Sequence, residues 1–116
     1  MPDAEFLRAI RDLGGTPAEL AAHHELLELM LPTLRADFTA AEIYRCRPGP
    51  PLPCPITVFG GTDDPLCSRT DLEEWSAHTK SKIHMHLLPG NHFFVTVART
   101  ALLELITATL APDLAA

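Results

Sequence analysis

The sequence predicts an α/β chain in which helices come first and a strand–helix–strand–helix unit with parallel strands follows. Three observations carry this. Ile56-Thr57-Val58-Phe59 is a short apolar run closed by the turn Gly60-Gly61-Thr62-Asp63-Asp64-Pro65. From Ile83 to Leu88, Ile83, Met85 and Leu87 alternate with His84 and His86, the pattern of a half-buried strand. Between the two lies a helix-like segment, and a crossover helix makes two strands of one sheet parallel neighbours.

The chain has 116 residues, enough for one domain or part of one, and its apolar fraction of 47% is that of a globular protein. A net charge of −6 leaves no basic excess to neutralise phosphates, so a nucleic-acid surface is not expected. No apolar segment follows Met1-Pro2-Asp3-Ala4-Glu5, and the stretch from Ala101 to Ala111 is too short to span a bilayer. A cytoplasmic protein without a membrane partner is expected. Cys46, Cys54 and Cys67 form no C-x-x-C pair and read as free thiols in a reducing compartment.

Taken in order, Asp3 to Leu13 is helical, with Phe6, Leu7, Ile10 and Leu13 on one stripe, Asp3 as N-cap and Gly14-Gly15 as the stop. Thr16-Pro17-Ala18-Glu19 starts a second, short helix with a capping box. His24 to Met30 is a third helical piece, and Pro32 either kinks it or starts the next, which runs from Thr33 to Arg45 with Leu34, Phe38, Ala41 and Tyr44 apolar. Residues 1–45 are thus a helical segment. Residues 46–55 form a proline-rich linker holding Pro48, Pro50, Pro51, Pro53 and Pro55, and residues 56–116 form the α/β part. Within that part, Ile56 to Phe59 is a strand buried on both faces. Ser68 or Thr70 caps a helix to about His78, with Leu72 and Trp75 as its apolar contacts and a weaker capping box between Ser68 and Asp71. After Phe93-Phe94 a final helix reaches Leu110, where Pro112 stops it.

Chemistry in an open α/β sheet sits at the carboxyl ends of the strands. The first strand ends in two overlapping Gly-x-x-Asp frames, Gly60 to Asp63 and Gly61 to Asp64, and Asp64 is preferred because Pro65 follows it directly. The second ends in Pro89-Gly90-Asn91-His92. The 28 residues from Asp64 to His92 hold one helix, one strand and two short loops, which places carboxylate and imidazole on adjacent strand ends. An acid that orients a histidine is two-thirds of a hydrolytic triad. Plainer readings remain: both aspartates as turn formers, and His92 as a polar loop residue. Cys67 and Ser68 are the nucleophile candidates near Asp64, but neither lies in the Gly-x-Ser-x-Gly elbow, which this sequence lacks. Cys67 is expected to pack and Ser68 to cap. His84 and His86 could face one metal ion, yet no third ligand is spaced to join them, and the solvent side of an edge strand is the simpler reading. His23 and His24 read as surface residues.

In these residues the chain resembles the C-terminal half of the type II thioesterases, α/β-hydrolases that accompany non-ribosomal peptide and polyketide synthases. The resemblance rests on Leu13-Gly14-Gly15-Thr16-Pro17, on Leu31-Pro32-x-Leu34-Arg35-Ala36-Asp37-Phe38 with Glu42 and Tyr44, on Pro55 to Asp64, on Trp75, and on Gly90-x-His92-Phe93-Phe94. It implies the C-terminal part of an α/β-hydrolase fold, with residues 1–45 as part of a lid. It implies Asp64 as triad acid, His92 as general base, and an acyl or aminoacyl thioester on the phosphopantetheine of a carrier protein as substrate, with no cofactor of the enzyme's own and no metal. Asn91 stands where the family usually has glycine, a change the loop should tolerate. The resemblance also implies that the serine elbow, the oxyanion loop and most of the sheet lie upstream of Met1. The expectation is therefore a hydrolase fragment that needs a Ser-bearing segment or self-association. The alternative is an inactive remnant or a carrier-protein-binding module.

Overall fold

A computed structural model describes residues 1–16 and 22–114. The chain divides into two compact units, Met1–Pro50 and Pro51–Ala116.

In the first unit, α1 spans Asp3–Leu13 and α2 spans His24–Ile43. Pro2, not Asp3, is the N-cap of α1, and its carbonyl accepts the Phe6 N–H at 2.9 Å. Asp3 instead lies in the first turn, where its charge suits the helix dipole. There it binds Arg35 of α2 through Nη2 at 2.7 Å and Nε at 3.2 Å. Gly14 ends α1 in the left-handed conformation, φ 81°, that glycine reaches without strain. The short helix expected from Pro17 falls outside the described residues.

The two pieces expected on either side of Pro32 are one continuous helix of 20 residues. Leu27, Leu31, Leu34 and Phe38 recur at helical spacing straight across the proline. Leu27 and Leu31 are buried with Phe6, Leu7 and Ile10 of α1, and Leu34 and Phe38 pack against that cluster. Burial on both sides of Pro32 outweighs the one backbone hydrogen bond it removes. Phe38 meets the Phe6 ring edge-on, centroids 5.5 Å apart. Tyr44 lies beyond the helix and is exposed.

In the second unit, β1 (Ile56–Gly61) and β2 (Ile83–Leu88) pair in parallel, with Ile56 opposite Ile83 and Gly61 opposite Leu88. The crossover is α3 (Arg69–Glu73) continued by a 3-10 turn, Glu74–His78. The sequence pattern predicts one helix here; the backbone instead tightens after a short capped α-helical segment. Ser68 caps α3 and forms the reciprocal capping box with Asp71. Leu72 is buried, whereas Trp75, an expected apolar contact, is half-exposed beside the His78 ring. The last segment is likewise broken at Ala98, into α4 (Phe94–Val97) and α5 (Arg99–Leu114). Pro112 does not stop α5, which carries on to Leu114.

The expectation that β1 is buried on both faces holds only in part. Val58 is buried, but Ile56, Thr57 and Phe59 keep partial exposure. Among the described residues the sheet has two strands, so side chains along the free edge of β1 lack lateral neighbours.

Candidate active site

Both loops that leave the carboxyl ends of β1 and β2 are tied to each other by backbone. The Thr62 N–H donates to the Leu88 carbonyl and the Asp63 N–H to the Gly90 carbonyl, each at 2.9 Å. Gly61 permits this approach. A Cβ there would sit 2.4 Å from the Asn91 carbonyl oxygen and 2.7 Å from that of Gly90. Gly90 itself turns at φ +133°, which few side chains tolerate.

Within this double loop Asp64 Oδ2 lies 2.9 Å from His92 Nδ1. Asp64 Oδ1 accepts the Leu66 N–H at 2.8 Å, closing a turn around Pro65. The carboxylate is thus oriented by its own chain and has one oxygen for the imidazole. Its side chain is 4% exposed, that of His92 41%. An ionised carboxylate only accepts hydrogen bonds, so in a contact with it Nδ1 is the donor, and in a neutral ring the lone pair is then on Nε2. The Phe93 ring stands edge-on to the imidazole, centroids 5.3 Å apart.

The structure therefore brings Asp64 and His92 together and leaves Asp63 out of the pair. Asp63 Oδ2 takes a long hydrogen bond, 3.4 Å, from the Thr62 hydroxyl. Of the nucleophile candidates, the Ser68 hydroxyl accepts the Asp71 N–H at 3.2 Å as a helix cap. Cys67 is partly buried, and that burial, followed by the nearby charges of Asp64 and Asp71, raises its thiol pKa, which opposes formation of a thiolate. His84 is exposed, as a solvent-facing strand residue should be. His86, expected on the same open face, is half-buried and stacks on Phe59 opposite it, centroids 5.4 Å apart. Among the described residues no three His, Cys, Asp or Glu side chains gather as a metal-binding group. A cavity of about 510 Å³ lies between Thr57, Phe59 and His84 on the sheet and Ile106, Thr109 and Leu110 on α5, away from the Asp64–His92 pair.

The structure thus places an imidazole against a buried carboxylate in the loops that follow two parallel strands, the place where open α/β sheets carry their sites. The chain belongs to the thioesterase family, whose thioesterase-domain sequence model matches residues 1–110. It is 43% identical over 113 residues to linear gramicidin dehydrogenase LgrE of Brevibacillus parabrevis, covering 95% of this chain and 43% of that protein. Solved structures are similar as well. The type II thioesterase BorB from the borrelidin biosynthetic cluster superposes with a TM-score of 0.77 at 37% identity, over 93% of this chain and 44% of that one. RedJ, a thioesterase from the prodiginine pathway of Streptomyces coelicolor, does so with a TM-score of 0.82 at 35% identity, over 93% and 43%. The fold is part of the α/β-hydrolase fold of the thioesterases of non-ribosomal peptide and polyketide pathways, and the chain spans a little under half the length of these relatives. Among the described residues no helix is long and apolar enough to cross a membrane.

Proposed function

We propose that this chain supplies the acid and the base of a serine-type thioesterase that hydrolyses acyl or aminoacyl thioesters carried on the phosphopantetheine of a carrier protein. The observation that supports this most directly is the 2.9 Å contact between Asp64 Oδ2 and His92 Nδ1, with the second carboxylate oxygen fixed by the Leu66 N–H. Asp64 holds the Nδ1–H tautomer and stabilises the imidazolium. His92 Nε2 takes the proton of a serine hydroxyl as its oxygen attacks the thioester carbonyl. The imidazolium then protonates the departing pantetheine sulfur. In the second half-reaction His92 deprotonates a water that attacks the acyl-serine, and the proton returns to the serine oxygen as the acid departs. The serine belongs to a segment that this chain does not contain. The reading calls for no cofactor: the phosphopantetheine arm comes with the substrate.

The test is thiol release from a short acyl-pantetheine thioester by the purified chain, alone and mixed with the Ser-bearing segment of a thioesterase relative. Release is expected only in the mixture. Asp64→Asn, which disturbs the tautomer, should lower it by about 10⁴-fold, and His92→Ala by at least as much. A His92→Ala mixture with full activity would refute the assignment. His92-dependent release by the chain alone would move the nucleophile to Ser68 or Cys67. Saturable carrier-protein binding without turnover in the mixture would replace the enzyme with a binding module.

A further inference from the structure

We infer that Asn91 is a positioning residue for His92, fixing the backbone of its neighbour so that the imidazole meets Asp64. The inference rests on the acid–base reading of that pair. Asn91 Oδ1 accepts the Phe93 N–H at 2.8 Å. The ring closed by this bond contains the whole backbone of His92, so the bond sets φ and ψ at His92 and with them the direction of its Cα–Cβ bond. From the other side, the Asn91 carbonyl is pressed against β1, where any Cβ on Gly61 would be only 2.4 Å away, and it accepts the Phe94 N–H at 3.1 Å. His92 is held between an anchored residue and a tethered one.

The acid is fixed by the same device. Asp64 Oδ1 accepts the Leu66 N–H at 2.8 Å and encloses Pro65. The difference lies in which residue provides the oxygen. A carboxylate has two, one for the turn and one for the partner. An imidazole has Nδ1 for Asp64 and Nε2 for the reaction, and no oxygen to accept a backbone N–H. In this chain the turn around His92 takes its acceptor from the preceding residue, Asn91. On sequence grounds Asn91 is a change to be tolerated; in the structure its amide oxygen carries a hydrogen bond that glycine could not make.

The test reads the His92 ring nitrogens by NMR in the ¹⁵N-labelled chain at mildly alkaline pH, with His92→Ala used for assignment. The natural sequence should show a single Nδ1–H tautomer. Asn91→Ala should give a mixture of Nδ1–H and Nε2–H forms, with amide resonances outside the loop unmoved. Asn91→Asp, which keeps an oxygen at the same reach, should restore the single form. A single Nδ1–H tautomer retained in Asn91→Ala would overturn the inference. So would loss of amide dispersion throughout the chain in both Asn91→Ala and Asn91→Ser, since Asn91 would then serve the fold and not the site. If the natural sequence shows no Nδ1–H preference, or if Asp64→Asn leaves that preference intact, the acid–base reading itself fails, an outcome distinct from failure of the Asn91 tether alone.

Discussion

Replacing Gly61 with alanine tests whether the acid and histidine loops are held together by backbone contact. A Cβ at position 61 falls 2.4 Å from the Asn91 carbonyl oxygen and 2.7 Å from that of Gly90. Real contacts of this kind stay at 3.0 Å or more, so the strand and the loop must part by at least 0.6 Å. Both obstructing atoms are backbone, and neither can rotate aside. The Asp63 N–H to Gly90 carbonyl bond, 2.9 Å long, spans the same gap and would stretch towards 3.5 Å, the limit of a hydrogen bond. Overpacking of this kind costs about 1–3 kcal/mol. In a unit of this size that lowers Tm by at least about 4 °C. Gly60→Ala is the informative comparison. Its Cβ would also meet an atom at 2.4 Å, but that atom is Cδ1 of Leu72, the end of a side chain that can change rotamer. Thermal unfolding followed by circular dichroism should therefore rank Gly61→Ala below Gly60→Ala. Gly49→Ala, with nothing within 4 Å, should remain near the natural sequence. In the reconstituted thioesterase a shift of this size at His92 should lower kcat by up to about 10²-fold. Equal stability of the Gly61 and Gly60 variants would refute the claim that backbone contact sets the loop spacing.

Two further outcomes follow from the groups around the crossover helix. Hydrogen bonds from the Ser68 N–H and then from its side chain lower the Asp71 carboxyl pKa. Its contribution to stability is thus present above the unfolded-state carboxylate pKa and lost as pH falls through the lower folded value. The stability gap between the natural chain and Asp71→Asn in urea melts should close on acidification, and a gap that widens would contradict the capping box. Cys67 carries the opposite shift: burial first, then Asp64 and Asp71, raise its pKa, so the fold favours the protonated thiol. That preference lasts below the ordinary thiol range and is lost as pH rises through the folded value. Peptide mass spectrometry after brief iodoacetamide treatment should find the exposed Cys46 and Cys54 modified before Cys67, and the reverse order would contradict it.

What the sequence disclosed and what it hid follow from how local each determinant is. The bounds of β2 are legible from alternation alone, because one partly covered face imposes a period of two. The Asp64–His92 pair is legible because a right-handed crossover leaves little freedom in where two strand ends lie. Of the two readings of Pro32, the start of a new helix fails, because helix propensity is a local measure and the stabilising burial is not. The stripe Leu27, Leu31, Leu34, Phe38 keeps helical spacing through the proline and is the sequence signal of the continuous helix. Pro112 does not end the last helix, and no buried stripe crosses it among the described residues. The breaks after Glu73 and at Ala98 have no sequence signal of comparable strength. The importance of Asn91 is hidden for another reason. Its side chain acts on a backbone N–H two residues away, and an Asn-His dipeptide in a loop does not announce whether that bond forms.

The contacts that set the Asp64–His92 geometry all fall between Gly61 and Phe94. A pair of parallel strands supplies the spacing, Gly61 the close approach, and two side-chain oxygens the turns that aim carboxylate and imidazole at each other. All of these lie within a chain that spans less than half the length of its relatives. Electrostatic and proton-transfer groups are effective when they are oriented before the substrate arrives. Here that orientation is built from turns and a two-strand ladder. The contacts of the Asp64–His92 pair are therefore local, and removal of Asn91 or crowding at Gly61 should disturb the pair without removing either of its residues.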